Sequence, residues 1–143
     1  MNEITVNEEN LIKFLSKIRK QDKEELIYFL GNNFKSKFIN IVLSNFTETT
    51  LLEYNSIPAC IGGIYKDAYG AQVWLLCSDN YDKKYLFRYI KNKLKLFQNK
   101  FDFLYNYIYK SNFSSLKWLQ KCGFKVEELK NPNIKLFYYQ KGE

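Results

Sequence analysis

The stretch N-F-S-S-L-K-W-L-Q-K-C-G-F, residues 112–124, decides how this chain is read. Asn112 is a residue type that caps helices, and neither Gly nor Pro interrupts the chain between it and Gly123. Gly123 supplies a stop, and Phe124-Lys125-Val126 is strand-prone. A helix capped by Asn112 and feeding directly into a strand is expected.

Upstream lies Phe103–Tyr109, an alternating aromatic strand with Asn106 inside it. Before it, Leu86, Ile90, Leu94 and Phe97 recur at helical spacing and predict a long helix over 81–98. Lys84, Arg88, Lys91 and Lys95 form its opposite, basic face. Val73-Trp74-Leu75-Leu76-Cys77 is an unbroken apolar run, as expected of a strand buried on both faces. Two further strands precede it, 47–54 and 59–65, separated by turn chemistry at Asn55-Ser56-Ile57-Pro58, so a three-stranded antiparallel meander is predicted. Gly62-Gly63 marks a bulge or a close backbone approach.

The N-terminal third is helical by pattern. A short strand at Ile4-Thr5-Val6 leads to a helix capped by Asn7. A second helix, over 22–30, takes Asp22 as its cap and Gly31 as its stop. A third, over 35–45, carries Phe38, Ile41, Val42 and Phe46 on one face. Downstream, 124–129 and 134–140 read as a hairpin around Asn131-Pro132-Asn133. The order is α+β, a mixed sheet of six to seven strands flanked by helices, in a single domain over 1–143.

Composition limits the chemistry. The sequence has no His, which excludes Ser-His and Cys-His nucleophile pairs and a His general base. Cys60, Cys77 and Cys122 are widely spaced among apolar residues, the pattern of buried free thiols rather than a disulfide framework or a metal site, and no metal is expected. No apolar run approaches the ~18 residues of a membrane span, and residues 1–5 lack the pattern of a secretory signal, so a cytoplasmic protein is expected. The net charge of +7 suggests an anionic ligand or partner, set against a general richness in Lys. The aromatics do not interleave with the basic helix face, so nucleic acid is not the expected partner.

The element order, together with Asn112, Lys121, Gly123 and Phe124, resembles the Gcn5-related N-acetyltransferase (GNAT) superfamily. Its signature is Asn-x-x-Ala-x-x-x-Tyr-x-Lys-x-Gly-Phe; Ser115 replaces the Ala here, and Leu119 stands where the family has Tyr. The text Val73-Trp74-Leu75-Leu76, Leu104-Tyr105-Asn106-Tyr107-Ile108, Asn112 and Trp118-Leu119-Gln120-Lys121-Cys122-Gly123-Phe124 is similar to a divergent tailed-phage branch, labelled internal virion protein or acetyltransferase-like. That branch implies a location in the host cytoplasm or virion.

The resemblance implies a GNAT-like sheet and acetyl-CoA as cofactor, with a CoA thioester donor and an amine acceptor. It places the acyl group beside backbone N–H groups of the strand 73–77, at Leu76 and Cys77. The pyrophosphate would lie at the turn Ser78 to Lys84, with Lys83 and Lys84 as cations. The pantetheine arm would lie near Asn106, with Asn112 and Ser115 beyond it. That turn contains no glycine, unlike the family's Gln/Arg-x-x-Gly-x-Gly/Ala. With Leu119 unable to donate a proton, Tyr105, Tyr107, Tyr109 or Cys122 are the available types. Glu53, Asp67 and Asp79 are the carboxylates considered as base, against an ordinary role as solvated turn residues. A non-catalytic protein of the same fold, acting in virion assembly or binding a host protein, is the alternative.

Overall fold

The computed structural model describes residues 1–142. A short strand β1 (Asn2–Ile4) is followed by three helices, α1 (Glu8–Leu15), α2 (Lys20–Leu30) and α3 (Phe34–Val42). The meander β2 (Thr47–Tyr54), β3 (Ile57–Lys66) and β4 (Ala71–Cys77) comes next, then the long helix α4 (Lys83–Lys100). β5 (Phe103–Tyr109), a 3-10 stretch (Lys110–Ser115), α5 (Leu116–Lys121), β6 (Lys125–Glu128) and β7 (Ile134–Gln140) complete the chain. The strands form one sheet in the order β1-β2-β3-β4-β5-β7-β6, with β4 and β5 parallel and every other pair antiparallel. The α+β class and the mixed sheet are as expected.

Local chemistry explains the joints. Asn7 caps α1, its carboxamide oxygen accepting from the Asn10 N–H at 2.8 Å. The β2–β3 hairpin turns on Asn55 and Ser56, with φ of 54° and 64°, the two left-handed residues a tight hairpin needs. The Gly62-Gly63 pair is a close approach: a Cβ on Gly63 would stand 1.9 Å from the Glu48 carbonyl oxygen. The bulge is elsewhere in the same pair of strands, at Leu52/Glu53. Gly123 ends α5 at φ 94°, and the Phe124 N–H reaches back to the Leu119 carbonyl at 3.2 Å.

One core lies between the sheet and α1–α3, built on Leu11, Phe14, Phe38, Leu51, Ile61 and Leu76. A second lies under α4 and α5, around Ile64, Val73, Leu94, Leu104, Phe124 and Phe137. Three helix expectations shift. α2 starts at Lys20, so Asp22 is inside its first turn instead of capping it. α3 buries Phe34, Phe38 and Val42, while Phe46 lies past its end and is 59% exposed. α4 starts at Lys83, because the Asp82 side chain caps it through the Tyr85 N–H at 3.1 Å.

Candidate functional site

β4 and β5 pair only at Ala71–Leu104 and Gln72–Tyr105, then diverge into a fork. Asn106 is the strut at the crotch. Its Nδ2 donates across the gap to the Val73 carbonyl at 2.9 Å, and its Oδ1 accepts from the Tyr107 N–H. Asn106 therefore pairs with the strand edge.

Helix α2 closes the far end of the fork. Asp22 accepts from the Cys77 N–H at 2.8 Å, at the end of β4. One helical turn on, Glu25 accepts from the Tyr109 N–H at 2.8 Å, at the end of β5. The Asn112 amide sits between them, donating to Asp22 at 3.0 Å and to Glu25 at 3.1 Å. Asn112 is thus a buried bridge and not the helix cap expected from sequence. Ser111 also reaches α2, donating to the Gln21 carbonyl at 2.8 Å. These ties hold the chain tight against α2, and the α pitch begins only at Leu116.

Charges at this end are not independent. Arg19 donates to both carboxylate oxygens of Asp22, at 2.9 and 3.1 Å. Burial works against the guanidinium charge, but the hydrogen bond and charge of Asp22 outweigh it and raise the Arg19 pKa above its usual value. Glu25 is pushed up to about 7, first by burial and then by the neighbouring Asp22 charge, against the hydrogen bonds from Tyr109 and Asn112.

The fork opens into a cleft of about 510 Å³ that reaches both faces of the sheet. Leu26, Phe29, Phe38 and Trp74 line it on the α2–α3 side, and Leu86, Phe87, Ile90 and Leu119 on the α4–α5 side. The run expected to be buried on both faces is instead open here, with Leu75 37% exposed. Trp74 and Trp118 pack on the cores and also wall the cleft: Trp74 meets Phe38 edge-on at 5.6 Å and Trp118 stacks on Phe87 at 5.7 Å.

Backbone alternation identifies what points into the gap. The Val73 carbonyl accepts from Asn106 and the Cys77 N–H donates to Asp22, so both residues turn their backbone groups toward the β5 side. Leu75, midway between them, does the same, beyond the last paired residues. Its N–H is the backbone donor aimed into the cleft.

Of the residues singled out from sequence, Leu76, Asn106, Asn112, Ser115 and Leu119 line this one cleft, and Cys77, Ser78, Lys83 and Lys84 do not. The Cys77 N–H is already engaged by Asp22 and its carbonyl by the Arg19 N–H at 2.9 Å. The Ser78 N–H donates to the Ala59 carbonyl at 2.7 Å, and the Asn80 N–H to Ser78 Oγ at 3.1 Å. Lys83 and Lys84 are exposed at the start of α4. Glu53, Asp67 and Asp79 are outside the cleft; Asp67 is held in its turn by the Tyr69 and Gly70 N–H groups and by the Tyr105 hydroxyl. Of Tyr105, Tyr107, Tyr109 and Cys122, only Tyr107 lines the cleft. Arg19, Asp22 and Glu25 were missed as site residues. Among the described residues there is no cluster of three or more potential metal-ligating side chains, and no helix long and apolar enough to cross a membrane.

No family model and no curated protein matches the sequence. Solved structures do. An acetyltransferase from Thermus thermophilus is 13% identical, with a TM-score of 0.69 over 97% of this chain and 96% of that one. A ribosomal-protein alanine N-acetyltransferase from Escherichia coli is 10% identical, with a TM-score of 0.67 over 97% of this chain and 92% of that one. A Bacillus subtilis acetyltransferase in complex with CoA is 11% identical, with a TM-score of 0.59 over 97% and 96%. At such identity the likeness is one of architecture, and the fold of this chain is the GNAT fold.

Proposed function

We propose that this chain is a GNAT-type N-acyltransferase, moving an acyl group, acetyl in the simplest case, from a CoA-type thioester to an amine. The observation that carries the reading is the open fork between β4 and β5, with the Leu75 backbone facing into it and Glu25 at its far end. A thioester bound there would supply an activated acyl carbonyl. The Leu75 N–H is placed to stabilise negative charge on a carbonyl oxygen in the gap, as an oxyanion-hole donor does. Glu25 takes a proton from the attacking nitrogen; a carboxyl near neutrality suits that task. As the C–N bond forms and the C–S bond breaks, Tyr107, among the hydroxyls that line the cleft, protonates the leaving sulfur, the role Leu119 cannot fill.

The two ends of such a donor fit unequally. The apolar wall of Leu86, Ile90 and Leu119 suits a pantetheine arm and its acyl group. The start of α4 does not suit a pyrophosphate: the Asp82 carboxylate, accepting from the Tyr85 N–H, puts a negative charge there, and no glycine lets the backbone approach. We read the pyrophosphate loop as degenerate. The same features favour a second reading, a binding protein that kept the fold without the chemistry. In the tailed-phage setting suggested by the sequence, it would act in virion assembly or on a host protein.

Calorimetry with acetyl-pantetheine and with acetyl-CoA tests the first reading. Saturable binding of either that is lost on filling the fork with Leu75→Trp, together with acyl transfer to an amine panel, is the expected result. No binding of either thioester leaves the second reading.

A further inference from the structure

The positive charge of this protein is segregated. Seven of the eighteen residues of α4 are Lys or Arg and none is Asp or Glu; α5 adds two more cations and again no acid. These two helices hold nine of the 22 basic residues and none of the 15 acidic ones, so the rest of the chain is slightly acidic. A general richness in Lys would spread along the chain; this charge does not. Lys84, Arg88, Lys91 and Lys95 are all exposed, and Lys91, Lys95 and Lys121 border a shallow depression where the two helices meet.

The same helices form a wall of the cleft, through Leu86, Phe87 and Ile90 of α4 and Trp118 and Leu119 of α5. Lys84, Arg88, Lys91 and Lys95 lie on the face of α4 turned away from that wall, so a partner docked there reaches the fork only through a long arm. By the resemblance a free nucleotide donor would bring its pyrophosphate to the α4 N-terminus, where the Asp82 carboxylate already accepts from the Tyr85 N–H. Cations displaced along the helix suit a larger anionic surface, and the exposed aromatics of α4, Tyr85 and Phe87, are already stacked on Tyr89 and Trp118.

Building on the acyltransferase reading, we infer that the α4–α5 face docks an acidic carrier protein that presents its acyl thioester on a phosphopantetheine arm. The arm enters the fork, and charge complementarity across α4 and α5 replaces the contacts a nucleotide would make. A single phosphodiester on the arm also carries less negative charge than a nucleotide does.

The test titrates four probes against the full chain: an acidic acyl carrier protein bearing acetyl-phosphopantetheine, the same protein without the arm, acetyl-CoA and acetyl-pantetheine. The charged carrier is expected to bind about tenfold or more tighter than acetyl-CoA, and to weaken strongly as salt rises through roughly the physiological range. The triple variant Arg88→Glu/Lys91→Glu/Lys95→Glu is expected to lose about tenfold or more of carrier affinity while acetyl-pantetheine binding and Tm hold. Tighter binding of acetyl-CoA, equal binding of the carrier without its arm, or an unchanged Kd in the triple variant would each overturn the inference. So would a short single-stranded oligonucleotide outcompeting the carrier. Acetyl-pantetheine separates the two levels: if it binds and the carrier does not, only the docking inference fails. If no thioester binds in any form, the acyltransferase reading fails with it.

Discussion

Asp22 is 0% exposed, and its carboxylate accepts from Arg19, the Cys77 N–H and the Asn112 amide. Replacing it by Ala leaves those donors without an acceptor and Arg19 without its counter-charge. The expected cost is ~3–5 kcal/mol, as for one partner removed from a buried pair, read as a fall in Tm or in denaturant midpoint. Glu25 gives a test that depends on pH. Its folded-state pKa of about 7 lies above the ordinary 4.5, so the folded protein holds that proton more tightly than the unfolded chain. The resulting stability is present below about pH 4.5 and is lost as pH rises through about 7. Glu25→Gln removes this dependence. Relative to wild type the variant should gain stability between about pH 5 and 8, measured by urea unfolding across that range. If acyl transfer occurs, the acid limb of its pH–rate profile near 7 should disappear in the same variant. Neither role was visible in the sequence. An Asp and a Glu three apart in a helix's first turns look like ordinary dipole-favoured acids, whereas the partners that give them their roles, Tyr109 and Asn112, are 84 and 87 residues from Glu25.

At the scale of elements, the sequence pattern located each α-helix approximately, and at α4 a side-chain cap moved the start. The apolar repeat of α4 pointed to the buried Leu86 and Leu94, but Asp82 determines where the helix begins. For α5 the error was larger. The stretch 112–124 shows a cap, a run and a stop, yet its first residues are held by α2 and follow 3-10 geometry. The stop was legible because Gly123 works locally; the start was not, because Asn112 works at long range. Asp82 also yields a prediction about binding. Asn caps helices as well as Asp does, so Asp82→Asn should leave Tm nearly unchanged while removing a negative charge from the α4 N-terminus. Acetyl-CoA affinity should then rise about three- to fivefold, the equivalent of ~0.6–1 kcal/mol, measured by calorimetry. Unchanged affinity would show that the nucleotide end does not approach this helix at all.

Across the whole molecule the sheet is two half-sheets with a weak seam. α1–α3 cover one face of β2 to β4, while the core under α4 and α5 joins Ile64 and Val73 of β3 and β4 to Leu104 and Phe137 of β5 and β7. The seam is the two-residue ladder of β4 and β5, the Asn106 strut, and the Asp22–Asn112–Glu25 bridge from α2. Element order announced a mixed sheet, since helices cross over between strands, but the length of the β4–β5 pairing depends on side chains at both ends of the gap, which no local pattern encodes. Because the cleft occupies this seam, its ties set how readily the site can open. Removing both amides, as Asn106→Ala/Asn112→Ala, deletes the strut and leaves Asp22 and Glu25 facing each other without the donor between them. Each lost hydrogen bond costs ~1 kcal/mol, and the loss should be local, because the two cores stay intact. Hydrogen exchange should therefore quicken by roughly tenfold or more at residues 73–77 and 106–109, while amides of the β2–β3 hairpin, far from the seam, keep wild-type protection. A ligand bridging the fork would restore protection at those same residues. If exchange instead rose uniformly across the sheet, the seam would not be a separate opening unit, and opening of the cleft would require unfolding of the whole.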